Sequence, residues 1–158
     1  MTPLQALQER HDAIHRVRTD LFGPLHLADE QIVHFDDGVP GFAQCKRWVL
    51  IDGAKGGTAW LQSADNPALA FLLVDPFVVF EGFTADVGPH EVRRLGATDP
   101  SQLAVFSIVT LPQKGQDDAT ANLQAPVVIN VRSRKGAQVL LGDGPWQVRQ
   151  PLSLSSLR

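Results

Sequence analysis

The chain has 158 residues, a formal charge of −3, a hydrophobic fraction of 44% and a charged fraction of 20%, values that exclude a disordered chain and suit one domain burying about 70% of its unfolded surface. An acidic balance without a concentrated basic surface argues against direct nucleic-acid binding, and no run approaches the ~20 apolar residues of a membrane helix. The lone cysteine, Cys45, excludes an intramolecular disulfide and fits a reducing compartment, so the expectation is a cytoplasmic monomer that meets a protein or small molecule, with no membrane contact, cofactor or metal.

Residues 1–18 carry helix signals. Thr2 is placed as N-cap, Pro3 stands at the first helical position, and Gln5 completes a capping-box spacing. Leu4, Leu7, Ile14 and Val17 form a thin apolar stripe. The segment 1–16 therefore reads as a helical extension ahead of a domain over 17–158. His11 and His15 share the spacing of helical metal ligands, but no third ligand accompanies them, and they read as solvated.

From Arg18 the texture changes to short extended segments separated by turn residues. Leu21-Phe22, Leu25-His26-Leu27 and Ile32-Val33-His34-Phe35 predict strands. Gly38-Val39-Pro40-Gly41-Phe42 predicts a rigid turn, with glycine supplying positive φ and Phe42 entering the core. A strand follows over 48–51, and then a Gly/Lys-rich link over 52–57. That link lacks the order of a phosphate-binding loop and leads into a strand.

The stretch 60–77, WLQSADNPALAFLLVDPF, is the centre of the pattern. Trp60-Leu61 opens a strand, Asp65 and Asn66 sit in a turn where they can bond their own backbone, and 69–74 is apolar throughout, as expected of a strand covered on both sides. Pro76 ends that strand. Residues 77–80 read as a further strand, and Asp75 reads as a cap rather than a catalytic acid, because no partner group stands at a recognised spacing.

Residues 89–95 predict a short helix closed by Gly96, and 105–111 a strand ended by Pro112. A polar loop follows over 113–118. Thr120 and Asn122 beside the strand 127–131 are expected to satisfy backbone groups, with an exposed recognition role as the alternative. Arg132-Ser133-Arg134-Lys135-Gly136 is a basic hairpin tip leading to a strand over 138–141. Residues 146–148 give a last strand, and 151–158 a tail without structure.

Together these residues resemble the FliW family of bacterial flagellar assembly factors. The resemblance rests on Gly38-Val39-Pro40-Gly41-Phe42, Trp60-Leu61-Gln62-Ser63, Leu69-Ala70-Phe71 with Asp75-Pro76-Phe77, Val109-Thr110-Leu111-Pro112, residues 120–126 with the strand through Asn130, and Gln138-Val139-Leu140-Leu141. They follow one another in family order over residues 17–152. With no tyrosine in the chain, Phe83 and Trp146 stand at aromatic positions where the family more often has Tyr.

The resemblance implies an all-β, compact β-barrel-like single domain with small helical caps, here with an N-terminal helix. It implies a cytoplasmic regulator without catalytic activity that binds the translational repressor CsrA and newly made flagellin in alternation. Holding CsrA relieves repression of flagellin synthesis, and flagellin binding releases CsrA. The expected contact residues are Asp75, Pro76, Phe77 and Glu81, with Asn122 and Leu123 beside them if both segments lie at one end of the barrel. Two alternatives remain at this point: a relative with the same fold and a changed partner, or a barrel-pocket enzyme using Asp65, Asp75, His26, His34 and His90.

Overall fold

A computed structural model of the chain describes residues 15–115, 118–142, 144–153, 155 and 157. Its strands are β1 (His15–Val17), β2 (Leu25–Leu27), β3 (Ile32–His34), β4 (Arg47–Asp52), β5 (Thr58–Ser63), β6 (Ala70–Val74), β7 (Ala104–Thr110), β8 (Ala119–Ala121), β9 (Val127–Asn130), β10 (Lys135–Gln138) and β11 (Gln150–Leu152). Two short α-helices, α1 (Pro76–Val79) and α2 (Pro89–Arg94), lie between β6 and β7.

Antiparallel neighbours run β3-β4-β5-β6-β7, and β7 also pairs with β9, β9 with β10, and β10 with β3. Seven strands thereby close into a barrel, which removes the exposed edges that an open sheet would present. The closure between β3 and β10 is parallel and narrow, a single register pair of Lys135 with His34. Gly136 is required beside it: a Cβ there would stand 2.5 Å from the ring of Phe35, which is wholly buried.

One edge of β7 is divided between two partners. Phe106 faces Val127 of β9, whereas Val109 faces Ala121 of β8, so residues 122–126 bulge opposite only 107 and 108. Asn122 holds the bulge. Its backbone N–H donates to the Ile108 carbonyl at 2.9 Å, and its side-chain Oδ1 accepts from the N–H groups of Gln124 at 3.1 Å and Ala125 at 3.0 Å. The backbone-satisfying role expected of Asn122 is thus observed.

The barrel interior is filled by Phe35, Trp48, Leu61, Leu73, Val127 and Ile129, with Phe42 and Phe71 packed against them. Trp48 is fully buried, and its ring lies 6.1 Å from that of Phe35 and 5.7 Å from that of Phe71. Phe42 enters from the predicted rigid turn, where Gly38 has φ 64° and a Cβ would strike the Phe42 carbonyl at 2.5 Å.

Several expectations are corrected. His15–Val17 is a strand paired with β2, not the end of a helix, because Val17 and Leu27 are buried together in an apolar cluster; the rest of the predicted helix, with His11, lies outside the described residues. Leu21-Phe22 forms a turn, in which Thr19 Oγ1 accepts from the Phe22 N–H and donates to the Gly23 carbonyl. Residues 77–80 are not a strand, since Pro76 opens the helical turn α1. The strand after the basic tip is Lys135–Gln138, earlier than 138–141, because its register is set by pairing with β9. No strand forms over 146–148; instead Gln150–Leu152, which runs into the stretch 151–158 read as tail, pairs with β8 and buries Leu152. Strand 70–74 is buried on both faces only at Leu73 and Val74.

Among the described residues no helix is long and apolar enough to cross a membrane.

Candidate protein-contact site

The residues following β6 switch from extended to helical at Asp75. Its carboxylate accepts a hydrogen bond from the Phe77 N–H at 2.9 Å, and Pro76 occupies the first helical position, where a missing N–H costs nothing. The cap predicted for Asp75 is present. One turn later Phe80 ends the helix, its N–H donating to the Pro76 carbonyl at 3.0 Å.

This turn sorts its side chains. Pro76 is buried, while Phe77 is 52% and Val78 72% exposed, and Glu81 faces solvent just beyond. The Phe77 ring meets Phe83 edge-on at 5.2 Å, and Phe83 lies 4.9 Å from Trp146. Phe83 is buried with Leu123 and Leu141, flanked by Phe80 and Trp146. An aromatic ladder therefore runs from the surface at Phe77 into a small core. Its two deeper members are Phe83 and Trp146, which pack without a hydroxyl.

Leu123 lies 1% exposed in that core, because the bulge held by Asn122 turns it inward. The structure thus brings the 120–126 segment and α1 to one end of the barrel through Phe83. Pro76 and Leu123 support the surface from beneath, and the accessible groups are Phe77, Val78 and Glu81, with Asp75 and Asn122 partly covered. Val78 escapes a sequence reading that takes 77–80 as a strand. The Asp75-Pro76 start signal was the clue that could have found it. Beside Trp146 a shallow cavity of about 210 Å³ opens between Thr84, Asp86, Leu141 and Pro145.

The two carboxylates of the enzyme alternative are engaged in structure, and its histidines His26, His34 and His90 are exposed. Asp65 accepts from the Lys46 N–H at 3.2 Å, the Arg47 N–H at 3.1 Å and the Arg47 Nε at 2.9 Å. Burial pushes its carboxyl up, but the hydrogen bonds and charge of Arg47 outweigh this and hold it below the usual carboxylate range. Asp75 is engaged in capping near Gly57, whose carbonyl accepts from the Asp75 N–H at 2.8 Å, at the far end of the β4–β5 hairpin from Arg47. Asp99 likewise caps a 3-10 turn: the hydrogen bonds from Ser101 lower its pKa against slight desolvation. Among the described residues no three His, Cys, Asp or Glu side chains are grouped to hold a metal.

Comparison with known proteins matches residues 16–152 to the family model described as FliW protein. A flagellar assembly factor FliW of Treponema denticola is 35% identical over 136 residues, covering 86% of this chain and 92% of its own. That of Heliobacterium modesticaldum is 41% identical over 127 residues, covering 80% and 82%. A crystal structure titled as the flagellar assembly factor FliW superposes with a TM-score of 0.79 at 34% identity, covering 88% of this chain and 97% of that one.

Proposed function

Because this chain belongs to the FliW family of flagellar assembly factors, we propose that it is a cytoplasmic, non-catalytic adaptor that binds the repressor CsrA and flagellin in alternation. Bound to CsrA it relieves repression of flagellin translation; bound to flagellin it releases CsrA to repress. The observation that carries this reading is the match over residues 16–152, nearly the whole described chain. The net charge of −3 is consistent with holding a basic RNA-binding partner by electrostatic complementarity.

The α1 end is the contact surface in this proposal. Phe77 and Val78 are adjacent, exposed and apolar, Glu81 adds a charge at their rim, and the buried Phe83 and Leu123 stiffen the support. Apolar anchors with charged rims are how small protein interfaces gain affinity and register. Exchange needs only that each partner weakens the other's binding.

The deciding experiment titrates purified flagellin into a preformed complex of this protein with CsrA from the same organism. Displacement of CsrA is expected. Micromolar or tighter binding to neither partner would sink the proposal.

A further inference from the structure

The narrow seam between β3 and β10 holds a second feature, on the opposite end of the β4–β5 hairpin from α1. A cavity of about 160 Å³ is lined by His15, Asp29, Ile32, His34, Arg47 and Arg134. Four of those six can carry positive charge, in a chain whose net charge is −3.

Arg134 is placed there by a constrained turn. Its φ is 61°, and it is the one non-glycine residue with positive φ among the described residues. Glycine or asparagine would adopt that conformation at less cost. The turn is pinned on every side. Asn130 accepts the Arg134 N–H at its carbonyl (2.8 Å), Asn130 Oδ1 accepts from Arg132 at 3.0 Å, and the Arg134 carbonyl accepts the His34 N–H at 2.7 Å. The backbone demand is thus met by a residue less suited to it than glycine or asparagine, and what arginine adds is a guanidinium on a residue that lines the cavity.

The other charges are partly spent. Arg47 pairs with Asp65 at 2.8 Å, and His15 bonds to Asp29. Among the described residues the side chains of Arg134 and His34 make no ion pair. We propose that this seam cavity binds a small oxyanion, a phosphate or carboxylate group, between the Arg134 guanidinium, the His34 imidazole and the edge of Arg47.

Guanidinium groups match such anions in planar, two-pronged geometry. Asp29 in the same wall sets a limit, because a second negative charge favours a compact anion over an extended polyanion. The field at Asp29 agrees in sign. The hydrogen bond from His15 holds its carboxyl below the usual range, desolvation offsets part of this, and the charges of His15, Arg134 and His34 act in the same lowering direction.

The test titrates inorganic phosphate into the full-length chain at fixed pH and ionic strength, following the ring NMR signals of His15 and His34. Sodium acetate forms a second arm and sodium chloride the baseline. Saturable shifts are expected; saturation by phosphate alone assigns a dianion site, and saturation by acetate as well assigns a carboxylate site. Arg134→Gly removes the guanidinium and relieves the backbone, so the melting temperature should hold or rise while affinity falls about tenfold or more. Arg134→Asn, which also tolerates this conformation, should do the same. Arg132→Gln removes a neighbouring charge that does not line the cavity and should change affinity less than about twofold. Shifts that never saturate, or equal losses in Arg132→Gln and Arg134→Gly, overturn the proposal.

Discussion

The two ends of the β5–β6 hairpin are built on opposite principles. At the turn end, the side chains of the WLQSADN segment fold back onto their own backbone. Gln62, wholly buried, donates from Nε2 to the carbonyls of Ser63 at 3.0 Å and Leu69 at 3.1 Å. Ser63 Oγ accepts from the N–H groups of Asp65 and Asn66 at 3.0 and 2.9 Å, and Asp65 ties the turn to β4 through Arg47. At the α1 end a single cap bond from Asp75 orders the chain, and Phe77 and Val78 are left in solvent. Polar groups are used inward where the barrel must close, and apolar ones are presented outward where it can meet something else.

If the turn end is a sealed structural unit, its substitutions should be the costly ones. Trp48 faces Ser63 across β4–β5, is fully buried, and donates from Nε1 to the Cys45 carbonyl at 2.8 Å. Trp48→Ala is expected to cost about 3–5 kcal/mol in chemical denaturation. A loss under about 1 kcal/mol would mean that the ring does not organise the core. Gln62→Leu keeps volume but removes a donor from the buried Ser63 carbonyl and one of two donors from the Leu69 carbonyl, which still accepts from the Ser63 N–H, and about 1–2 kcal/mol should be lost. Neutral behaviour of this variant would break the contrast between the two ends.

Much of this was legible in advance, and the failures share a cause. Strands β2 to β7 and the helix closed by Gly96 follow from apolar runs between turn residues, and the all-β class follows from their number, whereas the barrel is implied only by the resemblance to the FliW family. Phe77, Val78, Val79 and Phe80 are strand formers by propensity, yet four residues are too few to show a helical period, so the Asp75-Pro76 cap decided against them. Leu123 looked available because a bulge that turns a side chain inward leaves no periodic trace. His34 and Arg47 are cross-strand neighbours and His15 arrives on β1, but only the closure of β3 on β10 adds Arg134 to the same cavity. Ring closure is a non-local event, invisible to local patterns.

A smaller effect tests the clasp between the hairpin and β4. Asp65→Asn removes the charge while keeping one acceptor, and should cost about 1 kcal/mol at neutral pH. The native carboxyl titrates below its unfolded value of about 3.9, so its contribution is complete above that pH and disappears as pH falls through the lower native pKa. The gap in melting temperature between the two proteins should therefore close below about pH 4. A gap that stays constant down to pH 2 would assign the loss to geometry instead of charge.

The smallest stability change is expected at the open end, and there the readout that matters is binding. Phe77→Ala keeps the backbone N–H that Asp75 accepts, and it loses the edge-on contact with Phe83, worth about 0.5–1 kcal/mol for a half-exposed ring. Val78→Asp, at a position 72% exposed, should alter stability by less than about 0.5 kcal/mol. If α1 is the contact surface, either change should weaken binding to CsrA or to flagellin about tenfold or more, measured by calorimetry on the folded variants. Phe77→Ala losing more than about 2 kcal/mol of stability would make this end as structural as the other. Unchanged affinity for both partners in both variants would move the contact surface away from α1 altogether, leaving the exposed turn as a cap on the Phe83 and Leu123 core.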